Sequence, residues 1–210
     1  MKTRLGILTT LVVIAFFSCN KQKSASINFE HADKPTVVNC SKTDTLLFKE
    51  ALYTFEENIK DFFDPQNKNL RRAYATFVRN AVNNRVDYAT VVKPHTLEVF
   101  EALKADTNLW NGQEFNFNHP IFKCIGEKIN DVGLKTTYNA LLTTNSMRPE
   151  LIGPPIVSKY GQAESDRYLA TFIALEYYYG RLHNVQAAPQ AEDKADAAPV
   201  DFNKVPAKTN

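Results

Sequence analysis

The 210-residue chain carries 25 basic and 23 acidic residues, a formal net charge of +2, and 44% of its residues are hydrophobic. That balance lacks the basic excess of nucleic-acid-binding domains and argues against nucleic acid as a partner. The length provides one domain's worth of chain, enough to bury a real core, with room for flanking segments.

Lys2 and Arg4 precede the apolar run Ile7 to Phe17, which ends in Phe16-Phe17-Ser18-Cys19. A bilayer-spanning helix needs about 20 apolar residues, and this run is roughly half that, within the range of a signal-peptide core. The segment resembles a bacterial lipoprotein signal peptide with its lipobox, although Phe16 stands where Leu is usual. The resemblance implies cleavage after Ser18 and acylation of Cys19, giving 1–18 as leader and Cys19 as the lipid-attachment residue. The alternative is an ordinary secretory signal cut near Ser18. Anchoring by several acyl chains, at about 0.8 kcal/mol per buried methylene, would hold the domain to the membrane permanently. Asn20 lacks the Asp associated with inner-membrane retention, and Lys21-Gln22-Lys23 lacks an acidic export run. These features point, again by resemblance, to the periplasmic face of an outer membrane. With Lys2 and Arg4 removed, 23 basic residues stand against 23 acidic ones.

Residues 19–38 are polar with little periodicity and are expected to form a lipidated, flexible tether ahead of a helical domain over 39–186. Within that domain Phe48, Leu52, Phe55, Ile59 and Phe62 step by four and three, after an N-cap at Thr43 or Asp44 and before a stop at Asp64-Pro65. Leu70, Tyr74, Phe77 and Ala81 repeat the pattern up to Asn83-Asn84. Asp87 to Val92 alternates with period two but is too short to build a sheet. A short helix follows Pro94 on Leu97, Phe100 and Leu103; another opens at His119-Pro120, where proline suits the first helical position. Val132 to Thr144 reads as a fifth helix, and Pro149, Gly153, Pro154 and Pro155 are expected to break the chain. Tyr168, Phe172, Leu175, Tyr179 and Leu182 form the clearest stripe, started by Glu164 or Ser165 and stopped near Gly180 to His183. Together these elements predict an all-α, irregular bundle of about five to seven helices. Residues 187–210, rich in Ala, Pro, Asp and Lys, are expected to be a disordered tail.

Of three cysteines, a lipidated Cys19 leaves Cys40 and Cys124, an even pair in an oxidising compartment. A disulfide between them would close a loop of about 85 residues and stabilise by roughly 4 kcal/mol on the chain-entropy model. Two buried free thiols are the alternative.

Motifs for c-type haem, zincin metal, hydrolase nucleophile, P-loop and ferritin-like di-metal sites do not occur in the sequence. No cofactor and no metal site is expected. His31, His95, His119 and His183 are far apart and fall at predicted helix ends or in the tether. Glu50, Glu57, Asp61 and Asp64 on the first helix read as a solvated face. Glu176, amid Ile173, Tyr177 and Tyr178, is expected to be half-buried and held by a Tyr hydroxyl or an Arg. The run Tyr177-Tyr178-Tyr179 cannot face one side of a helix, so at least one ring is expected to be exposed or to reach another element.

The segment 110–120 (WNGQEFNFNHP) combines aromatic faces with amides and an imidazole outside a helix, a mix suited to sugars or peptides. Trp110, Phe115, Phe117 and His119 are its candidate ligand-binding residues; the bland account has the aromatics plugging a loop onto the bundle. Two functions are therefore expected: a non-enzymatic accessory or scaffold lipoprotein of an envelope protein complex, or a small-ligand or glycan-binding lipoprotein using residues 110–120. An enzyme ranks third, and would need His or Glu side chains brought together from distant helices.

Overall fold

The computed structural model describes residues 27–186. The expected leader 1–18, the expected lipid-attachment residue Cys19, the tether residues 20–26 and the tail 187–210 lie outside the described residues.

The fold is all-α, with eight α-helices among the described residues. The first, α1 (Thr45–Phe63), begins where Asp44 Oδ1 accepts the backbone N–H groups of Leu46 (3.1 Å) and Leu47 (3.0 Å), and ends at Asp64. Asp64 precedes Pro65, and a residue before proline is driven out of helical geometry by the ring. α2 (Leu70–Val82) is capped by Asn69, the single turn α3 (Tyr88–Val91) by Asp87, and α4 (Pro94–Ala105) opens on proline. α5 (Pro120–Lys128) is capped by His119 and α6 (Val132–Thr143) by Asp131. α7 (Pro149–Lys159) and α8 (Arg167–Tyr177) complete the set. Asp166, one residue past the expected start signal, caps α8 through the N–H groups of Tyr168 and Leu169.

α1 runs through the centre, against α2, α4 and α8, while α5 packs on α6 and α8 and α7 on α2 and α6. Phe55 is the hub of the core, with its ring centroid 5.0 Å from that of Phe77, 5.2 Å from Tyr178 and 5.7 Å from Tyr74. Full burial of such side chains stabilises by about 1.5–3 kcal/mol each. Cys40 and Cys124 are joined as a disulfide, with Cα atoms 5.8 Å apart, tying the start of the domain to α5.

Three expectations are corrected. Residues 27–38 are not free tether: Val37 and Val38 are buried, and Ile27 and Phe29 pack on the core. Polar pins supply what this segment lacks in apolar area. Lys49 Nζ donates to the carbonyls of Ala32 (2.6 Å) and Lys34 (3.1 Å), and Glu50 accepts the N–H groups of Glu30 and His31, each at 2.9 Å. The prolines after Arg148 do not break the chain, since α7 continues through Pro154 and Pro155. Each removes one intrahelical donor, but the carbonyls left without that donor belong to the exposed residues Glu150 and Leu151, and burial of Ile152 and Ile156 holds the helix.

The supposedly solvated face of α1 is the third correction. Glu50 is 0% exposed because residues 27–38 and α4 cover it, and Asp64 is buried against the loop that follows α1, accepting from the Asn67 amide and the Asn69 N–H, while Glu57 stays exposed as expected. Asp87 to Val92 builds no sheet, as expected, and its residues Tyr88–Val91 form a single helical turn. Trp110–Asn111 (β1) and Glu114–Phe115 (β2) lie outside the helices, as expected, and form an antiparallel hairpin, with Gly112 at φ +67° supplying the left-handed turn conformation. The three consecutive tyrosines are all buried because the helix stops: Tyr178 (φ −121°, ψ −71°) leaves helical geometry, and a 3-10 turn at Tyr179–Arg181 sends the rings to different neighbours.

Candidate functional site

A cleft of about 310 Å³ lies between the hairpin, the start of α7 and the end of α8. The hairpin side contributes Gln113, Glu114, Phe115 and Phe117; the α6–α7 junction contributes Met147, Arg148, Pro149 and Glu150. The third wall is Glu176, Gly180 and Arg181. The break at Tyr178 builds this wall, since the 3-10 turn brings Arg181 back beside Glu176, with Nη2 3.7 Å from Oε1. Gly180 permits the close approach of the hairpin: a Cβ there would stand 3.2 Å from Phe115 Cε2 and 3.3 Å from the carbonyl oxygen of Leu175.

Glu176 is the chemically distinctive group. It is 9% exposed, and its carboxyl accepts no hydrogen bond from any described residue. Burial pushes its pKa up to about 7; Arg181 opposes that rise, while the carboxylates of Glu114 and Glu150 add to it. A group with this pKa exchanges its proton near neutral pH and offers a ligand either a donor or an anion. On the rim, Arg148 caps α7 without a side-chain hydrogen bond, and it forms no ion pair among the described residues.

The structure divides the sequence-predicted residues of 110–120. Phe115 and Phe117 line the cleft, and Phe117 also packs on Phe122 at 4.8 Å. Trp110 faces inward: its Nε1 donates to the Leu103 carbonyl at 2.8 Å and its ring stacks on Phe115 at 4.2 Å. His119 is buried as the cap of α5, its Nδ1 accepting the Ile121 N–H at 3.3 Å and its Nε2 3.2 Å from Asp106. Burial lowers its pKa, and Asp106 only partly offsets that.

The remaining histidines are also dispersed. His95 Nε2 lies 2.7 Å from Glu50 and its Nδ1 3.3 Å from Glu98. Burial disfavours its charged form, but Glu50, Glu98 and Glu30 overcome this and raise its pKa. His31 Nε2 is 3.7 Å from Glu57, and His183 sits edge-on to Phe100 and Trp110, its pKa lowered by burial and by Lys104. Among the described residues no group of three or more His, Cys, Asp or Glu side chains is placed to hold a metal ion, and no helix is long and apolar enough to cross a membrane.

A second polar cluster joins three helices: Arg167 pairs with Glu56 through two hydrogen bonds (2.7 and 2.9 Å), and Tyr74 donates to Glu56 at 2.8 Å. Its geometry is that of a saturated pin, whereas the cleft leaves Glu176 without a hydrogen-bond partner. Arg148 and Arg181 had no sequence signal, because they reach the cleft from segments about thirty residues apart.

Comparison with protein-family models, curated proteins and solved structures finds no match.

Proposed function

We propose that the chain is a membrane-anchored lipoprotein, facing the periplasm from an outer membrane, that serves as a non-enzymatic accessory or scaffold subunit of an envelope protein complex. The observation that carries this reading is the packed strap at 27–38. Its first described residue, Ile27, lies eight positions after Cys19. Eight fully extended residues span at most about 28 Å, so an acylated Cys19 keeps the domain against the bilayer and restricts its partners to membrane-proximal ones. The pinning of residues 30–34 by Lys49 and Glu50 prevents that reach from lengthening. The inward use of Trp110 and His119 also fits a module that works by packing.

A second reading, a small-ligand-binding lipoprotein using part of 110–120, draws support from the cleft that Phe115 and Phe117 line.

The test is affinity purification of the detergent-extracted, C-terminally tagged protein, with mass spectrometry of its N-terminal peptide and of co-purifying proteins. Acylated Cys19 together with a stoichiometric envelope partner is the expected result. An unmodified N-terminus, or membrane association that survives Cys19→Ala, overturns the anchoring; an acylated protein with no partner overturns the accessory role.

A further inference from the structure

The cleft combines features that together specify a ligand class. Five of its lining residues are charged: Glu114, Arg148, Glu150, Glu176 and Arg181. A neutral ligand would strip water from these groups without replacing their counter-charges, a net loss of polar free energy. Glu176 is nine-tenths buried, is turned into the cleft and lacks a hydrogen-bond donor; its complement is a cationic donor, since charge-assisted hydrogen bonds are the strong ones. Arg148 has no anionic partner among the described residues, and its planar fork suits a carboxylate. Between these charges Phe117, Met147 and Pro149 offer apolar surface. The volume, about 310 Å³, lies at the small end of ligand sites and limits the occupant to a compact molecule.

We propose that this cleft binds a free amino acid or dipeptide, its ammonium against Glu176, its carboxylate against Arg148, and its side chain over Phe117 and Met147. This inference rests on the ligand-binding reading and is independent of membrane anchoring. Arg181 from the 3-10 turn, Glu114 from β2 and Glu150 from α7 are the other charges that face Glu176. Binding requires the Glu176 carboxylate, so affinity rises with pH through neutrality.

The experiment is equilibrium dialysis of the full-length, detergent-extracted protein against a pool of the twenty amino acids and their leucyl dipeptides, with a second pool of neutral disaccharides. Retained compounds are identified by mass spectrometry. The expected result is retention of at least one zwitterion, tenfold tighter at pH 8 than at pH 5. Retention should fall at least tenfold with Glu176→Gln, with Arg148→Met, and with the N-acetylated ligand. Arg148 is exposed and Gln is nearly isosteric with Glu, so both variants keep the fold, checked by circular dichroism. Zwitterion binding unchanged in both variants overturns the site. Retention of a disaccharide alone, lost in Phe117→Ala, overturns the zwitterion but keeps the ligand-binding reading. Retention of nothing from either pool overturns both.

Discussion

Glu176→Gln isolates the energetic effect of burying this carboxyl. An ordinary glutamate titrates near 4.5, and the folded protein pushes Glu176 up to about 7, chiefly through burial. Each tenfold change in proton affinity is worth about 1.4 kcal/mol, so the fully ionised folded state is destabilised by about 3 kcal/mol. The sign follows from the direction of the change. Below pH 4.5 both folded and unfolded chains hold the proton and Glu176 exerts no penalty; between 4.5 and 7 the unfolded chain releases it first, and stability is lost until the folded carboxyl has also ionised. Glutamine mimics the protonated carboxyl at every pH. The variant should therefore match the parent near pH 4 and exceed it by about 3 kcal/mol at pH 8.5, a ceiling reached only if the cleft does not rearrange around the anion.

Urea unfolding of both proteins across that range measures the difference directly. With a slope of about 2 kcal/mol/M, typical for a domain of this size, the midpoint should move by about 1.5 M at pH 8.5 and hardly at all at pH 4. Other titrating groups, His95 among them, contribute equally to both proteins and cancel. A constant offset between the two curves at all pH values would refute the reasoning, since Glu176 would then ionise as readily in the folded protein as in the unfolded chain.

Replacing both Cys40 and Cys124 by serine opens a loop of 84 residues' separation; the chain-entropy model gives a loss of about 4.5 kcal/mol, and calorimetry should register a fall in Tm of about 10–15 °C, with reductant producing the same fall in the parent only. Glu50→Ala leaves the part-buried N–H groups of Glu30 and His31 and the His95 ring without their acceptor, so a loss of about 1–3 kcal/mol is expected; hydrogen exchange should show residues 30 and 31 unprotected, and NMR titration should show the His95 pKa falling from its raised value. Retained amide protection there would exclude Glu50 as the pin. Pro154→Ala restores a donor for the Glu150 carbonyl at an exposed position of α7, and chemical denaturation should show a gain of about 1–2 kcal/mol, less than the intrinsic preference of about 3 because the unfolded chain also gains freedom.

Helices whose burial follows one stripe were legible from spacing alone. Phe48, Leu52, Phe55 and Ile59 predicted α1, and Asp64-Pro65 marked its end. Where tertiary packing overrides local preference the signal failed. α7 tolerates two interior prolines because Ile152 and Ile156 are buried against other helices, a fact absent from its own sequence. The hairpin did carry a local mark, the two-residue loop Gly112-Gln113 between aromatic-bearing strands, with glycine at the first central position of the turn. Glu50 looked like part of a polar face because periodicity describes one helix at a time, and the covering strap and α4 come from elsewhere in the chain. The candidate site was half legible: Glu176, Phe115 and Phe117 stood out as an acid amid tyrosines and as aromatics outside a helix. Arg148 and Arg181 are ordinary surface types until the fold brings them together.

The polar residues of α1 account for how these distant parts are held in register. Lys49 and Glu50 fix the strap, Glu50 also reaches α4 through His95, and Glu56 ties α2 and α8. Asn58 donates to Thr96 and to the Tyr178 hydroxyl, the latter at 2.8 Å, while Tyr179 donates to the Ala51 carbonyl at 3.0 Å. Apolar burial alone specifies orientation loosely, whereas buried polar groups must meet particular partners or lose several kcal/mol. The bonds to Tyr178 and Tyr179 hold the helix break that turns both Glu176 and Arg181 into the cleft. The same helix therefore anchors the strap at one set of residues and the cleft floor at another.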